Sequence, residues 1–126
     1  MTVVAPYRDL GGFTINAVAD PTGRNPFGAG YATCQVSADT TFKTGVSLAE
    51  VYHVFVSSPT SSTIFQIWKN QLQYDYVLVG NNAWDPGIPM PVRSGDNIWF
   101  YFNKPMATTP VPFIVAYLRE PYAYQG

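Results

Sequence analysis

Charged side chains are scarce in this chain of 126 residues. Lysine, arginine, aspartate and glutamate make up 12% of the sequence, about half of the roughly 25% that is usual in soluble domains. Seven basic and eight acidic residues leave a formal net charge of −1. The sequence therefore offers no basic surface for nucleic acid and no polybasic segment for anionic lipid.

Cysteine and histidine are scarcer still, because each occurs once, as Cys34 and His53. One cysteine excludes an internal disulfide, and one cysteine with one histidine provides no ligand set for zinc. The aspartates show no Asp-x-Asp-x-Asp run of the kind that binds calcium. We therefore expect no metal and no cofactor, a Cys34 packed as a small hydrophobic residue, and a structural His53.

Long hydrophobic runs are also missing. No apolar run reaches the roughly 18 residues of a membrane span. Residues 1–12 lack the basic segment and apolar core of a secretory leader. We expect a protein made in a cytosol, without a signal peptide and without a membrane partner.

Aromatic residues, by contrast, are abundant. They make up 16% of the chain, and 47% of all residues are hydrophobic. A domain of this size cannot bury all of that area, and exposed apolar patches mark binding or assembly surfaces. The alternative is a monomer whose surface is kept hydrated by tyrosine and threonine hydroxyls.

Apolar residues recur with a period of two, which is typical of β-strands. The clearest example is residues 13–18, where Phe13, Ile15 and Ala17 share one face. Similar runs occupy residues 30–36, 46–56, 63–68, 72–79, 97–103 and 112–119. With 11 prolines and 10 glycines between them, they predict an all-β fold, a single jelly-roll-like antiparallel β-sandwich of seven or eight strands. Residues 69–71 predict a hairpin turn.

The predicted domain organisation is one domain over residues 1–126, with no repeat and no internal linker. Residues 13–119 form the sandwich, residues 1–12 an N-terminal arm and residues 120–126 a C-terminal arm. Both arms contain proline and tyrosine without a strand pattern. Such segments are disordered or become ordered against a neighbour.

The segment at residues 88–103 combines an edge strand, a turn and a central strand. Pro89 and Pro91 cannot donate backbone hydrogen bonds, which predicts an edge strand. Gly95 and Asp96 predict a turn in which the aspartate accepts backbone N–H groups.

The strand after that turn has two different faces. Ile98, Phe100 and Phe102 form the expected core side, and Trp99 and Tyr101 stand on the other. The predicted binding or interface residues are Trp99, Tyr101, Asn97, Asn103, Trp84, Trp68, Tyr122 and Tyr124. The alternative is that arms or loops bury both faces of this strand.

No catalytic constellation emerges from the sequence. A glycosidase needs two carboxylates across a cleft, and Asp75, expected to face outward, has no evident second carboxylate. We therefore interpret the chain as a non-enzyme.

The stretch PMPVRSGDNIWFYF, residues 89–102, resembles the small β-sandwich virion proteins of tailed bacteriophages, especially head-decoration (cement) proteins and minor tail components. The resemblance implies a virion structural protein that binds a major capsid or tail protein and stabilises the particle. It also implies a homo-oligomer, with a trimer favoured.

A carbohydrate-binding module or adhesin is the alternative. In that case Trp99, Tyr101, Trp84 and Trp68 would stack on sugar rings, and nearby amides would bond the sugar hydroxyls. The two functions differ in whether another subunit covers the aromatic face.

Overall fold

The computed structural model describes residues 7–20, 23–43, 48–57, 63–78, 82–106 and 112–121. Every regular element in these ranges is a β-strand, which confirms the predicted all-β class. The strands are β1 (Tyr7–Asn16), β2 (Val18–Ala19), β3 (Tyr31–Ser37), β4 (Leu48–Val56), β5 (Ile64–Lys69), β6 (Leu72–Leu78), β7 (Ala83–Trp84), β8 (Met90–Arg93), β9 (Asn97–Pro105) and β10 (Phe113–Pro121).

The strand count is ten rather than the predicted seven or eight. The difference comes from β2 and β7, which have two residues each. Such short bridges leave no period in the sequence, because two residues cannot establish an alternation.

The strands form two antiparallel sheets. In the first sheet the order is β1-β10-β4, and both β7 and β8 pair with the far side of β4. In the second the order is β2-β3-β9-β5-β6. When the two short strands β2 and β7 are left aside, the pairs are nested. β1 pairs with β10, β3 with β9, β4 with β8, and β5 with β6. This nested pairing is that of a jelly roll, a long antiparallel ribbon wound into two facing sheets.

The hydrophobic core lies between the sheets and confirms the predicted alternation. Ile98, Phe100 and Phe102 of β9 all point into it. The ring of Phe65 from β5 stacks on Phe100 with centroids 5.5 Å apart. Each such side chain stabilises the fold by about 1.5–3 kcal/mol relative to an exposed position, so the core orients β9.

The predicted N-terminal arm is too long, because β1 begins at Tyr7. Its register against β10 shifts between Asp9 and Gly11. Gly11 has a φ of 92°, and its N–H donates to Asp9 Oδ1 at 2.9 Å. This β-bulge breaks the period of two, which explains why the sequence pattern placed the strand start later.

The predicted C-terminal arm is also too long. β10 continues to Pro121, which lies opposite Tyr7. Residues 1–6 and 122–126, with Tyr122 and Tyr124, lie outside the described residues.

The edge strand and the turns agree with their predictions. Among the described strands β8 pairs with β4 alone. In the following turn the N–H of Arg93 donates to Asp96 Oδ2 at 2.9 Å. The predicted hairpin joins β5 to β6, and Asn70 and Gln71 at its tip have φ values of 52° and 70°. Positive φ at both positions is the type I′ geometry that suits the twist of two-residue hairpins.

The buried thiol gives a first prediction. Cys34 is fully buried, and burial raises the pKa of its thiol to about 12. Because the thiolate is the reactive form, we expect native protein to resist Ellman's reagent at mildly alkaline pH. In guanidinium chloride the same thiol should react at the rate of an ordinary cysteine. Rapid labelling of the native chain would contradict this account of the core.

Candidate functional site

The outer face of the second sheet carries a set of aromatic and amide side chains. Trp68 of β5 lies directly opposite Trp99 of β9, and Gln66 lies opposite Tyr101. On the other side of Trp99, Gln35 of β3 lies opposite it. On the other side of Gln66, Tyr76 of β6 lies opposite it. We call this set the aromatic face, with members Gln35, Gln66, Trp68, Tyr76, Trp99 and Tyr101.

Trp68 is held in a defined orientation on this face. Its indole Nε1 donates to Gln66 Oε1 at 2.8 Å. Its ring meets the ring of Tyr101 edge-on, with centroids 6.0 Å apart and planes 74° apart. Such perpendicular contacts are a favoured aromatic geometry, so the pair forms a fixed corner rather than a flat platform.

Trp99 and Tyr101 lie outside the core cluster, as predicted for an outward face, yet both are buried. Their exposed fractions are 7% and 3%. The guanidinium of Arg24 lies 5.8 Å from the centroid of the Trp99 ring, within cation–π range. The outward direction was thus predicted correctly, and the alternative of cover by a loop also holds, since the loop before β3 lies over this part of the sheet.

Asn25 anchors that loop. Its Nδ2 donates to Ala32 O at 3.2 Å, Thr33 Oγ1 at 3.1 Å and Phe102 O at 3.4 Å. These acceptors lie where the register between β3 and β9 shifts. The backbone N–H of Asn25 donates to Asp20 Oδ2 at 2.6 Å. The Asn25 side-chain amide therefore donates to acceptors at the irregular part of the β3–β9 pairing, and it ties the loop to both β3 and β9.

The electrostatics of the covered region follow from this arrangement. Burial raises the pKa of the Tyr101 hydroxyl, and the Asp20 carboxylate raises it further, while Arg24 acts in the opposite direction. Tyr101 therefore remains a neutral phenol, able to donate and to accept hydrogen bonds.

An open cleft of about 250 Å³ lies between the loop and the aromatic face. Its lining consists of Arg24, Trp68, Gln71, Trp99 and Tyr101. Three of these residues, Trp68, Trp99 and Tyr101, were predicted as a site from strand alternation. Arg24 and Gln71 were missed, because residues in loops and turns have no period that reveals their direction.

The hairpin tip holds Gln71 at the rim of the cleft. Asn70 Nδ2 donates to Asp96 Oδ1 at 2.7 Å. Asn70 Oδ1 in turn accepts the backbone N–H of Asn97 at 2.9 Å. The β5–β6 tip is therefore fastened to the start of β9, and the rim is built on rigid elements.

Trp84 does not belong to this surface, which corrects the prediction. It forms β7, is 2% exposed and packs in the core. Its Nε1 donates to Asp75 Oδ2 at 2.8 Å. Asp75 faces inward opposite Ile67, because the β5–β6 register shifts next to it. The carboxylate that was expected outside therefore satisfies a buried indole.

The two predicted asparagines lie on β9 and do not line the cleft. Asn103 Oδ1 accepts the backbone N–H of Ile64 at 2.9 Å and joins β9 to β5. Asn97 is exposed at the start of the strand. Neither residue is therefore part of the cleft.

His53 lies on the outer face of the first sheet. Its Nδ1 bonds Asp85 Oδ1, and its ring lies 5.5 Å from that of Tyr117. Among the described residues this carboxylate is the one hydrogen-bonding partner of the imidazole ring. The contact ties the segment between β7 and β8 to β4.

Within the described ranges no cluster of three or more His, Cys, Asp or Glu side chains could hold a metal ion. The same ranges contain no helix long and apolar enough to cross a membrane. No protein-family model and no curated protein matches the chain.

The loop anchor gives a second prediction. Asn25→Ala removes the donor to three buried acceptors, and each unsatisfied buried group costs about 1–3 kcal/mol. We expect the free energy of unfolding to fall by about 2 kcal/mol or more and acrylamide to quench tryptophan fluorescence more strongly. Asn16→Ala, on an exposed position of β1, is the control and should change stability by less than about 0.5 kcal/mol. Equal effects of the two variants would contradict the anchoring role.

Proposed function

We propose that this chain is a non-enzymatic structural protein of a virion, namely a head-decoration (cement) subunit that binds a major capsid protein. The same structural function could also be performed in the tail, by a minor tail component that binds a tail protein. The jelly-roll strand order and the resemblance of residues 89–102 to phage sandwich proteins support this proposal.

The observation that carries the proposal is the open edge of the second sheet. Among the described strands, β6 pairs with β5 alone. Leu72 and Tyr76 on this strand are 74% and 65% exposed. A long apolar edge strand invites pairing with other chains, so in a functional assembly we expect a partner to cover it.

The partner expected at this edge is a second copy of the chain in a closed homo-oligomer. A trimer, which the resemblance favours, requires a heterologous contact in which β6 faces a different surface of the next subunit. The low charge of the chain supports such close packing, because few ions would lose their hydration at the contact.

The third prediction tests this edge. Wild-type protein should elute with a mass three times the 13.9 kDa of the chain, measured by light scattering after size exclusion. Leu72→Asp places a charge in the apolar edge and should give monomers at the same concentration. Thr40→Asp, on an exposed turn, adds the same charge elsewhere and should leave the trimer intact. A wild-type monomer would refute the homo-oligomer.

The virion assignment needs a separate measurement. Virions that carry the gene for this chain, purified by density gradient, should contain the chain in many copies, as detected by mass spectrometry. Washing at high salt should not remove it, because the proposed contacts are apolar rather than ionic. Its absence from washed particles would refute the assignment, whatever the oligomeric state.

A carbohydrate-binding module or adhesin is the second candidate, and the cleft is the observation that favours it. The cleft combines aromatic rings with amide and hydroxyl groups, the mixture that orients a ligand with apolar faces and polar edges. Gln71 at the rim supplies an amide, and Tyr101 is the lining residue with a hydroxyl.

The fourth prediction separates the two candidates. Trp68 is half-buried and forms a wall of the cleft, so Trp68→Ala should abolish glycan binding and leave the oligomer unchanged. Binding is read by intrinsic fluorescence across a glycan panel. Trp99 is less suitable for this substitution, because it is buried and Trp99→Ala would also destabilise the fold. Loss of the oligomer in Trp68→Ala would instead place this residue at a subunit contact.

A further inference from the structure

The cleft has an asymmetric charge. Among its described lining residues Arg24 carries the one formal charge, and no carboxylate lines the cleft. The nearby Asp20 is buried beneath the loop, where its Oδ2 accepts the N–H of Asn25. The surface that a ligand meets is therefore aromatic on its walls and cationic on one side.

The Arg24 guanidinium is available to a ligand. The residue is exposed, and among the described residues it forms no ion pair. Arg8 and Arg119, by contrast, are paired with Glu120 and Glu50. Its Cζ lies 5.8 Å from the centroid of the Trp99 ring, and a guanidinium at that distance still has N–H donors that can bind an anion.

We propose that the cleft selects an acidic sugar, a uronic or sialic acid residue of a glycan. This inference rests on the proposed carbohydrate-binding function, and it specifies that the bound sugar is negatively charged. The pyranose ring lies against the accessible ring of Trp68, and its carboxylate binds Arg24. Guanidinium and carboxylate match in a planar pair of charge-assisted hydrogen bonds, and Gln71 bonds a ring hydroxyl.

The size of the cleft limits the ligand further. Its volume of about 250 Å³ lies below the roughly 300–1,000 Å³ of pockets that enclose drug-sized ligands. It therefore accommodates one sugar ring, with the remainder of the glycan in solvent. A terminal or branching acidic residue meets this requirement.

The test compares acidic and neutral sugars of the same shape. Methyl β-glucuronide and methyl β-glucoside differ at C6, and methyl α-N-acetylneuraminide adds a second acidic ring. Binding to the full chain is followed by tryptophan fluorescence and by ligand-observed NMR. We expect at least one acidic sugar to bind about tenfold or more tightly than the glucoside, the factor that 1.4 kcal/mol gives.

Two arginine variants locate the effect. Arg24→Gln should bring the acidic sugar to the affinity of the glucoside, and it should weaken the glucoside much less than the acidic sugar, because the glucoside has no carboxylate for the guanidinium. Arg93→Gln, at an exposed position that does not line the cleft, is the matched control and should retain the preference. Circular dichroism and thermal unfolding establish that both variants are folded. An equal loss of acidic and neutral sugars in Arg24→Gln would overturn the charge selection, because it would make Arg24 a support of the loop.

The remaining outcomes distinguish failure of this inference from failure of the candidate function. Equal binding of acidic and neutral sugars to wild-type protein overturns the charge selection and leaves the carbohydrate function standing. Binding of neither class overturns both. Acetate that displaces the acidic sugar at equal concentration shows an anion site without sugar recognition. Uridine 5′-monophosphate that binds in place of the sugars assigns the cleft to a nucleotide. Either of the last two results overturns the proposal.

Discussion

The constraint on which this structure depends is that β9 carries large apolar side chains on both of its faces. Ile98, Phe100 and Phe102 fill the space between the sheets, while Trp99 and Tyr101 project away from it. A central strand of this kind must be covered twice. The sandwich provides the inner cover, and a single loop, held by the amide of Asn25, provides the outer one.

The incomplete outer cover creates the cleft. The loop closes over Trp99 and Tyr101 but leaves Trp68 accessible at its margin. The same loop brings Arg24 to the aromatic rings, so cover and charge come from one segment. Fold stability and the proposed ligand recognition are consequently linked in this region, since the contacts that hold the loop also position the cation.

Two separate surfaces therefore remain available for function. The cleft is polar at its rim and small, which suits a single ring of a ligand. The β6 edge is apolar and extended, which suits a protein neighbour. A virion sandwich that assembles through its edge and binds a glycan through its cleft would use both. The two proposed functions are compatible because no residue of the cleft lies on β6.

Sequence alternation determined the all-β class, the core face of β9 and three of the five residues lining the cleft, because these features follow from a local period of two. The missing N–H groups of Pro89 and Pro91 determined the edge strand. Tertiary structure decided the rest. A β-bulge interrupts the period of two in β1, and the register shift between β5 and β6 turns Asp75 inward. Trp84 lies in the core, and Arg24 lies over the ring of Trp99. Each of these depends on a register shift or on contacts between segments distant in the chain, and neither leaves a periodic signal in the sequence.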